Sequence, residues 1–221
     1  MSFETVMERV ASAAVAAGRD PSEVTTVAVS KTKTVDEIRV IYDLGHRDFG
    51  ENRAEELAEK APMLPGDIRW HFVGALQSRK ARTVRPIATL LHSMDRRSLG
   101  GAWLKGPGRA PPVLAQVNVG DEEQKSGVAI HEVEEALDWM VDLGLEVVGL
   151  MAIPPMPEHA EDSRTHFATL RDLRDRLERE HPMVTELSMG MTDDFEVAIA
   201  EGASIIRVGR AIFGPREATG A

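Results

Sequence analysis

The chain has 221 residues, 43% of them hydrophobic and 28% charged, with a net charge of −10 and no cysteine. That is ordinary globular composition, and its acidic balance argues against non-specific binding to nucleic acid or to anionic membranes, which calls for a basic surface. Without cysteine, disulfides, thiolate chemistry and zinc sites with Cys ligands are excluded.

The N-terminus, MSFETVMERV, is amphipathic and carries acids, with no apolar region behind a basic start. No run approaches the ~18 apolar residues of a membrane span, so the expected location is the cytoplasm. Phe3, Val6, Val10, Ala13, Ala14 and Ala17 recur at helical spacing, which predicts a helix over 3–17 with Gly18 as its stop. Asp20-Pro21 then turns the chain into Thr25–Lys31, TTVAVSK. If that run is a strand, Val27, Val29 and Lys31 share one face. A cation on a core face at the C-terminal tip of a strand is unusual; the ordinary alternative is a lysine that snorkels to water. Thr34–Leu44 reads as a helix closed by Gly45, Asp48–Glu51 as a strand, and Asn52–Lys60 as a helix.

The same pattern then repeats. Asp-Leu-Gly at 43–45 and 142–144 and Glu-Gly at 201–202 each end a helical pattern and lead into a short strand: DFGE, EVVGLM and SIIRVG. Helix, glycine, strand is the αβ half of a βαβ unit. Strands are predicted at 25–30, 48–51, 69–73, 89–93, 113–118, 146–151, 185–188 and 204–208. The helical pattern between them is weakest after the fourth, where GAWLKGPGRAPP reads as a loop. The charged stretch 161–180 reads as a helix that buries Phe167, Leu170, Leu173 and Leu177. Eight repeats in this length predict an α/β fold, a single (β/α)8 TIM barrel spanning 1–221. A doubly wound open sheet competes, but no GxGxxG follows the first strand.

In such a barrel the active site lies at the C-terminal ends of the strands, and phosphate commonly binds after strands seven and eight. Those two ends are Ser188-Met189-Gly190-Met191-Thr192, with Thr192 or Asp193 as the cap of the next helix, and Gly209-Arg210, which opens another. Glycine at a helix start lets backbone N–H groups approach a phosphate, and Arg207 and Arg210 add cationic donors. A primary amine at Lys31 across the mouth from such a cradle points to a Schiff base with a phosphorylated aldehyde; Lys33 is its rival. The other strand ends carry Gly50-Glu51-Asn52, His71 with Gly74, His92-Ser93, Asn118 and Met151. No metal site is expected: His131-Glu132 lacks the second histidine of HExxH, and His159 and His166 read as solvated. Asp121-Glu122-Glu123 reads as surface charge, and Lys125-Ser126-Gly127 as a segment that could close over the pocket.

AVSKTK (28–33), FGENR (49–53), WHFVGALQSRK (70–80), HSMD (92–95), QVN…KSG (116–127), GLMAIP (149–154) and LSMGMTDDFEVAIAEGASIIRVGRAIFG (187–214) together closely resemble the pyridoxal phosphate homeostasis protein family. The resemblance runs in order over 25–214. It implies a barrel like the N-terminal domain of alanine racemase that holds pyridoxal 5′-phosphate as an internal aldimine on Lys31. It also implies Asn52 near the ring, Ser188, Gly190, Gly209 and Arg210 as the phosphate cradle, and Arg207 as partner of the ring nitrogen or phosphate. An arginine beside that nitrogen keeps it unprotonated, which suits storage better than carbanion chemistry. Two positions depart from the family: Arg210 stands where Thr or Ser is frequent, and Arg79 where Asn is common.

Four functions compete. The first is a non-catalytic holder that buffers the cofactor and delivers it to apo-enzymes, expected to be a monomer. The second is an amino-acid racemase, which needs a second acid/base group; the single tyrosine here, Tyr42, lies in a helical segment. The third is an aldolase using Lys31 on a sugar phosphate without a chromophore. The fourth, a pure interaction protein, leaves Lys31 and both phosphate turns unexplained. The residues and the resemblance favour the first.

Overall fold

The structure, a computed structural model, describes residues 2–120 and 126–214. Asp121-Glu122-Glu123 and Lys125, singled out above, lie outside the described residues. Nine strands form one parallel sheet among these residues: β1 (Thr25–Val29), β2 (Asp48–Glu51), β3 (Arg69–Phe72), β4 (Ala88–Met94), β5 (Val113–Asn118), β6 (Val128–Ala129), β7 (Val147–Ala152), β8 (Glu186–Ser188) and β9 (Ile205–Val208). Eight of them close into a barrel. β1 sits between β2, with Ala28 opposite Phe49, and β9, with Thr25 opposite Ile205, while β4 joins β5 with Leu91 opposite Val113. The ninth, β6, lies along the end of β5, Val117 opposite Val128. It was not expected, because two residues carry no period to read.

The helices are α1 (Phe3–Ala16), α2 (Val35–Asp43), α3 (Ala54–Lys60), α4 (Ala81–Val84), α5 (Arg97–Trp103), α6 (Val133–Asp142), α7 (Arg164–Leu177), α8 (Phe195–Ala200) and α9 (Arg210–Phe213). α1 precedes the first strand, is capped by Ser2, and buries Phe3, Val6, Val10 and Ala14. Its Arg9 guanidinium lies 4.9 Å from the Phe195 ring and bonds Glu196, which ties α1 to α8. α7 buries Phe167, Leu170, Leu173 and Leu177, the face expected from its spacing. No helix among the described residues is long and apolar enough to cross a membrane.

Two local readings are corrected. The stretch from Gly101 is helical as far as Trp103, because α5 starts at Arg97 and is anchored by Leu99 and Trp103, both fully buried; the paired glycines Gly100 and Gly101 mask the helical period. The cap of α8 is Asp194, neither Thr192 nor Asp193. The Asp194 carboxylate accepts the Met191 N–H at 2.7 Å and the Ser163 hydroxyl at 2.7 Å, which holds the turn after β8 in place.

Strand alternation separates two cores. Val27, Leu90, Leu114, Met151 and Ile205 pack inside the barrel. Ala28, Phe49, Trp70, Phe72, Leu91, Leu187, Ile206 and Val208 face the helices. Lys31 lies two residues beyond Val29, in the turn that follows β1.

Candidate functional site

The barrel opens into a cavity of about 1200 Å³ at the C-terminal ends of the strands, the end at which barrel chemistry is built. Lys31, Asn52, Arg207, Gly209 and Arg210 border it, together with Gln116, Asn118 and Ser126. Lys33 does not border it: its ammonium pairs with Glu37 on α2 at 3.0 Å.

Asn52 follows β2 directly, and the turn after β3 packs against it; a Cβ at Gly74 would stand 2.3 Å from the Asn52 carbonyl oxygen. The Asn52 Oδ1 atom is buried yet has no hydrogen-bond partner among the described residues. Such orphans are rare in folded proteins and mark places where a ligand or water completes the bonding.

Arg207 is the second unusual group. It is 4% exposed, and its guanidinium donates three hydrogen bonds to neutral oxygens: Ser188 O at 2.7 Å, Ser188 Oγ at 2.6 Å and Ala152 O at 2.9 Å. Of its five N–H donors, two stay uncommitted among the described residues. No carboxylate among them lies within ion-pair distance. Burial pushes the guanidinium down to about 10, partly offset by the charge of Asp194. Desolvating a cation costs several kcal/mol, whereas a hydrogen bond to a charged group returns about 1.5–3 kcal/mol. Three such bonds roughly balance the cost, and an anion in the cavity would tip it.

Ser188 and Gly190 do not border the cavity. Ser188 is fully buried, with its hydroxyl between Arg207 and His92 Nδ1 at 2.8 Å. Gly190 has φ +89°, and a Cβ there would meet the Ala198 Cβ at 2.5 Å, so only glycine fits this turn. Arg210 is exposed and pairs with Asp193. Arg79 donates to Gln77 at 2.9 Å, and His159 stands exposed at the cavity rim. His166, read above as solvated, is half-buried, its Nδ1 lying 3.2 Å from Val119 O. No group of three or more His, Asp or Glu side chains arranged for a metal ion occurs among the described residues.

Sequence reading missed a polar column inside the barrel. His92 Nε2 lies 2.9 Å from His71 Nδ1, and His71 Nε2 lies 3.2 Å from Asp48 Oδ1. One sense of hydrogen bonding satisfies every atom: Arg207 donates to Ser188, Ser188 to His92, His92 to His71, and His71 to Asp48. Asp48 also accepts Arg69 Nε at 2.7 Å. Burial alone would raise the Asp48 carboxyl, but bonds from His71 and Arg69 outweigh it and hold it well below the usual carboxylate range. Burial above all, with the Arg207 charge adding to it, pushes His92 well below its ordinary 6.5.

A pH dependence follows from His92. The native ring excludes a proton that the unfolded chain binds below about 6.5, so stability falls as pH drops through that value. Each histidine kept neutral contributes a slope of up to about 1.4 kcal/mol per pH unit. His46, which burial also pushes down, adds with the same sign. Urea unfolding at pH 7.5 and 5.5 should show this loss, and His92→Asn should shrink it; an unchanged slope in the variant would refute the assignment.

The family model described as "Alanine racemase, N-terminal domain" matches residues 8–217. The chain is 41% identical over 218 residues to the pyridoxal phosphate homeostasis protein of Aquifex aeolicus, covering 96% of each chain. It is 38% identical over 224 residues to the protein of that name from Escherichia coli, covering 96% of this chain and 94% of that one. PipY of Synechococcus elongatus, solved with PLP bound, superposes with a TM-score of 0.80 at 35% identity, covering 95% of this chain and 100% of that one.

Proposed function

The chain belongs to the pyridoxal phosphate homeostasis protein family, and from that premise we propose that it binds pyridoxal 5′-phosphate through Lys31 and maintains the intracellular supply of that cofactor. The observation that carries the reading is the convergence of three groups on one cavity: the Lys31 amine, Asn52 with its orphaned Oδ1, and the buried Arg207 cation. A phosphorylated pyridine aldehyde fits the donor set and the 1200 Å³ volume with room to spare. When bound, the cofactor would supply an electrophilic aldehyde, and the Lys31 amine is the group that would hold it covalently, with loss of one water.

The protein's own groups do the rest. Arg207 offers its two uncommitted N–H donors to the ring nitrogen or the phosphate, and Ser188 contributes by holding Arg207. Gly190, Gly209 and Arg210 form the two turns of the phosphate cradle, Arg210 through its backbone because its side chain is engaged with Asp193. Asn52 sits beside the ring. The barrel acts as one binding unit, a cytoplasmic monomer that hands its cofactor to apo-enzymes.

The fold is that of a racemase domain, which keeps an amino-acid racemase as the second reading. The placement of Tyr42 favours the holder. Its hydroxyl donates to Asp67 at 2.7 Å, and it does not border the cavity, so it offers no second acid/base. The test is an absorption spectrum with added pyridoxal phosphate, followed by incubation with L-alanine and chiral chromatography. A band near about 420 nm without D-alanine supports the holder. Turnover to D-alanine would replace it by the racemase, and a protein that stays colourless would refute the cofactor reading.

A further inference from the structure

The peptide groups on both sides of Lys31 are gripped by an ionic cluster of buried Glu51 and Lys60 with half-buried Glu56, none of which borders the cavity. Ser30, fully buried, donates its N–H to Gly50 O at 2.9 Å and its hydroxyl to Glu51 Oε1 at 2.8 Å. Its carbonyl, the last one before Lys31, accepts Lys60 Nζ at 3.0 Å. On the other side, the Thr32 N–H donates to Glu56 Oε2 at 2.8 Å. Lys60 closes the circuit, donating to Glu51 Oε1 at 2.7 Å and Glu56 Oε2 at 2.9 Å. All three ammonium protons are thus committed, one each to Ser30, Glu51 and Glu56.

Thr32 has φ +65°, the one positive value among the described non-glycine residues. A β-branched residue enters that region only when its surroundings hold it there. The Glu56 bond falls on the Thr32 amide itself. A salt bridge that merely fastened α3 to β2 would need no contact with residues 30–32, yet Lys60 and Glu56 each place one hydrogen bond there.

We propose that Lys60 and Glu56 are positioning residues for Lys31: they fix the peptides before and after it, so that its amine enters the cavity along one direction. The proposal rests on the cofactor reading above. Attack on an aldehyde needs nitrogen and carbon aligned at near-contact distance, and a displacement of about 1 Å can cost a hundredfold in rate. Among the described residues, no hydrogen bond or ion pair of Glu51, Glu56 or Lys60 reaches the phosphate turns or Arg207, which lie on the β9 side of β1, so recognition of the rest of the cofactor does not pass through this cluster.

That separation supplies the test. Pyridoxal 5′-phosphate uptake reports the Lys31 step through its absorption band. Pyridoxamine 5′-phosphate, which has no aldehyde, reports non-covalent recognition and is followed by calorimetry. Glu56→Ala frees the Thr32 amide and should slow aldehyde uptake by about tenfold or more. Pyridoxamine phosphate affinity should stay within about twofold, because its contacts are untouched. Glu56→Gln keeps an oxygen for Thr32 and should retain most of the wild-type rate, which a purely ionic role would not allow. Lys60→Met should slow uptake further; it strands Glu51 in the interior, and if it fails to fold, the Glu56 pair decides. Equal weakening of both ligands, or wild-type uptake in Glu56→Ala, would overturn the proposal while leaving the cofactor reading intact. A wild-type protein that takes up neither ligand would overturn both.

Discussion

Lys31→Ala abolishes the absorption band near about 420 nm and with it all stable uptake of pyridoxal phosphate. Lys31 stands in the turn after β1 and borders the cavity, while its neighbour Lys33 is held by Glu37. Removing the amine removes the one covalent link, leaving charge and hydrogen bonds to hold the ligand. Lys33→Ala should leave the band in place, since its loss costs only a partly exposed i,i+4 pair worth about 0.3–0.5 kcal/mol. Retention of colour in Lys31→Ala and its loss in Lys33→Ala would reverse the assignment. Equilibrium dialysis with pyridoxamine 5′-phosphate separates loss of the link from loss of the pocket, because Lys31→Ala should still bind that analogue.

The second large effect belongs to Arg207. In Arg207→Met the Ser188 and Ala152 carbonyls lose the Arg207 donor inside the barrel, while the Ser188 hydroxyl keeps His92. Each orphaned acceptor costs about 1–3 kcal/mol, so the transition midpoint in urea should fall clearly. Affinity should fall too: one charge-assisted bond of about 1.5–3 kcal/mol to an anion or ring nitrogen corresponds to roughly 10–100-fold. Arg210 is the control. Its side chain is exposed and its pair with Asp193 lies at the surface, where such pairs contribute about 0–1 kcal/mol. Arg210→Ala should therefore change affinity by less than about fivefold. Isothermal calorimetry of both variants decides; equal losses would mean that the cradle binds through the Arg210 side chain.

The barrel was legible because its repeat is local. Glycine stops followed by short strands recur along the chain, and the parity of Val27, Val29 and Lys31 marks the amine as unusual, but it took the two phosphate turns across the mouth to set aside a lysine that snorkels to water. Residues joined only by closure were not legible. His71 and His92 read as strand ends, yet each is an inward position flanked by residues that face out, such as Trp70 and Phe72 around His71. A polar residue between two outward apolar neighbours was the available signal. Its meaning needed the register shift between Trp70 and His71 and the β4–β5 contact that closes the ring. Lys60 was hidden for another reason. It follows Leu57 by three residues, on the stripe that also buries Ala54, but a lysine at such a position ordinarily sends its ammonium to water, and only the fold shows Glu51 and the Ser30 carbonyl waiting for it.

The central claim is that Lys31 is the residue that carries the cofactor. It is tested most directly by adding pyridoxal 5′-phosphate to the purified protein, reducing with borohydride, and mapping the modified peptide by mass spectrometry. The account predicts a single phosphopyridoxyl adduct, on Lys31 within AVSKTK. An adduct on Lys33 or another lysine, or none on a protein that has turned yellow, would contradict it.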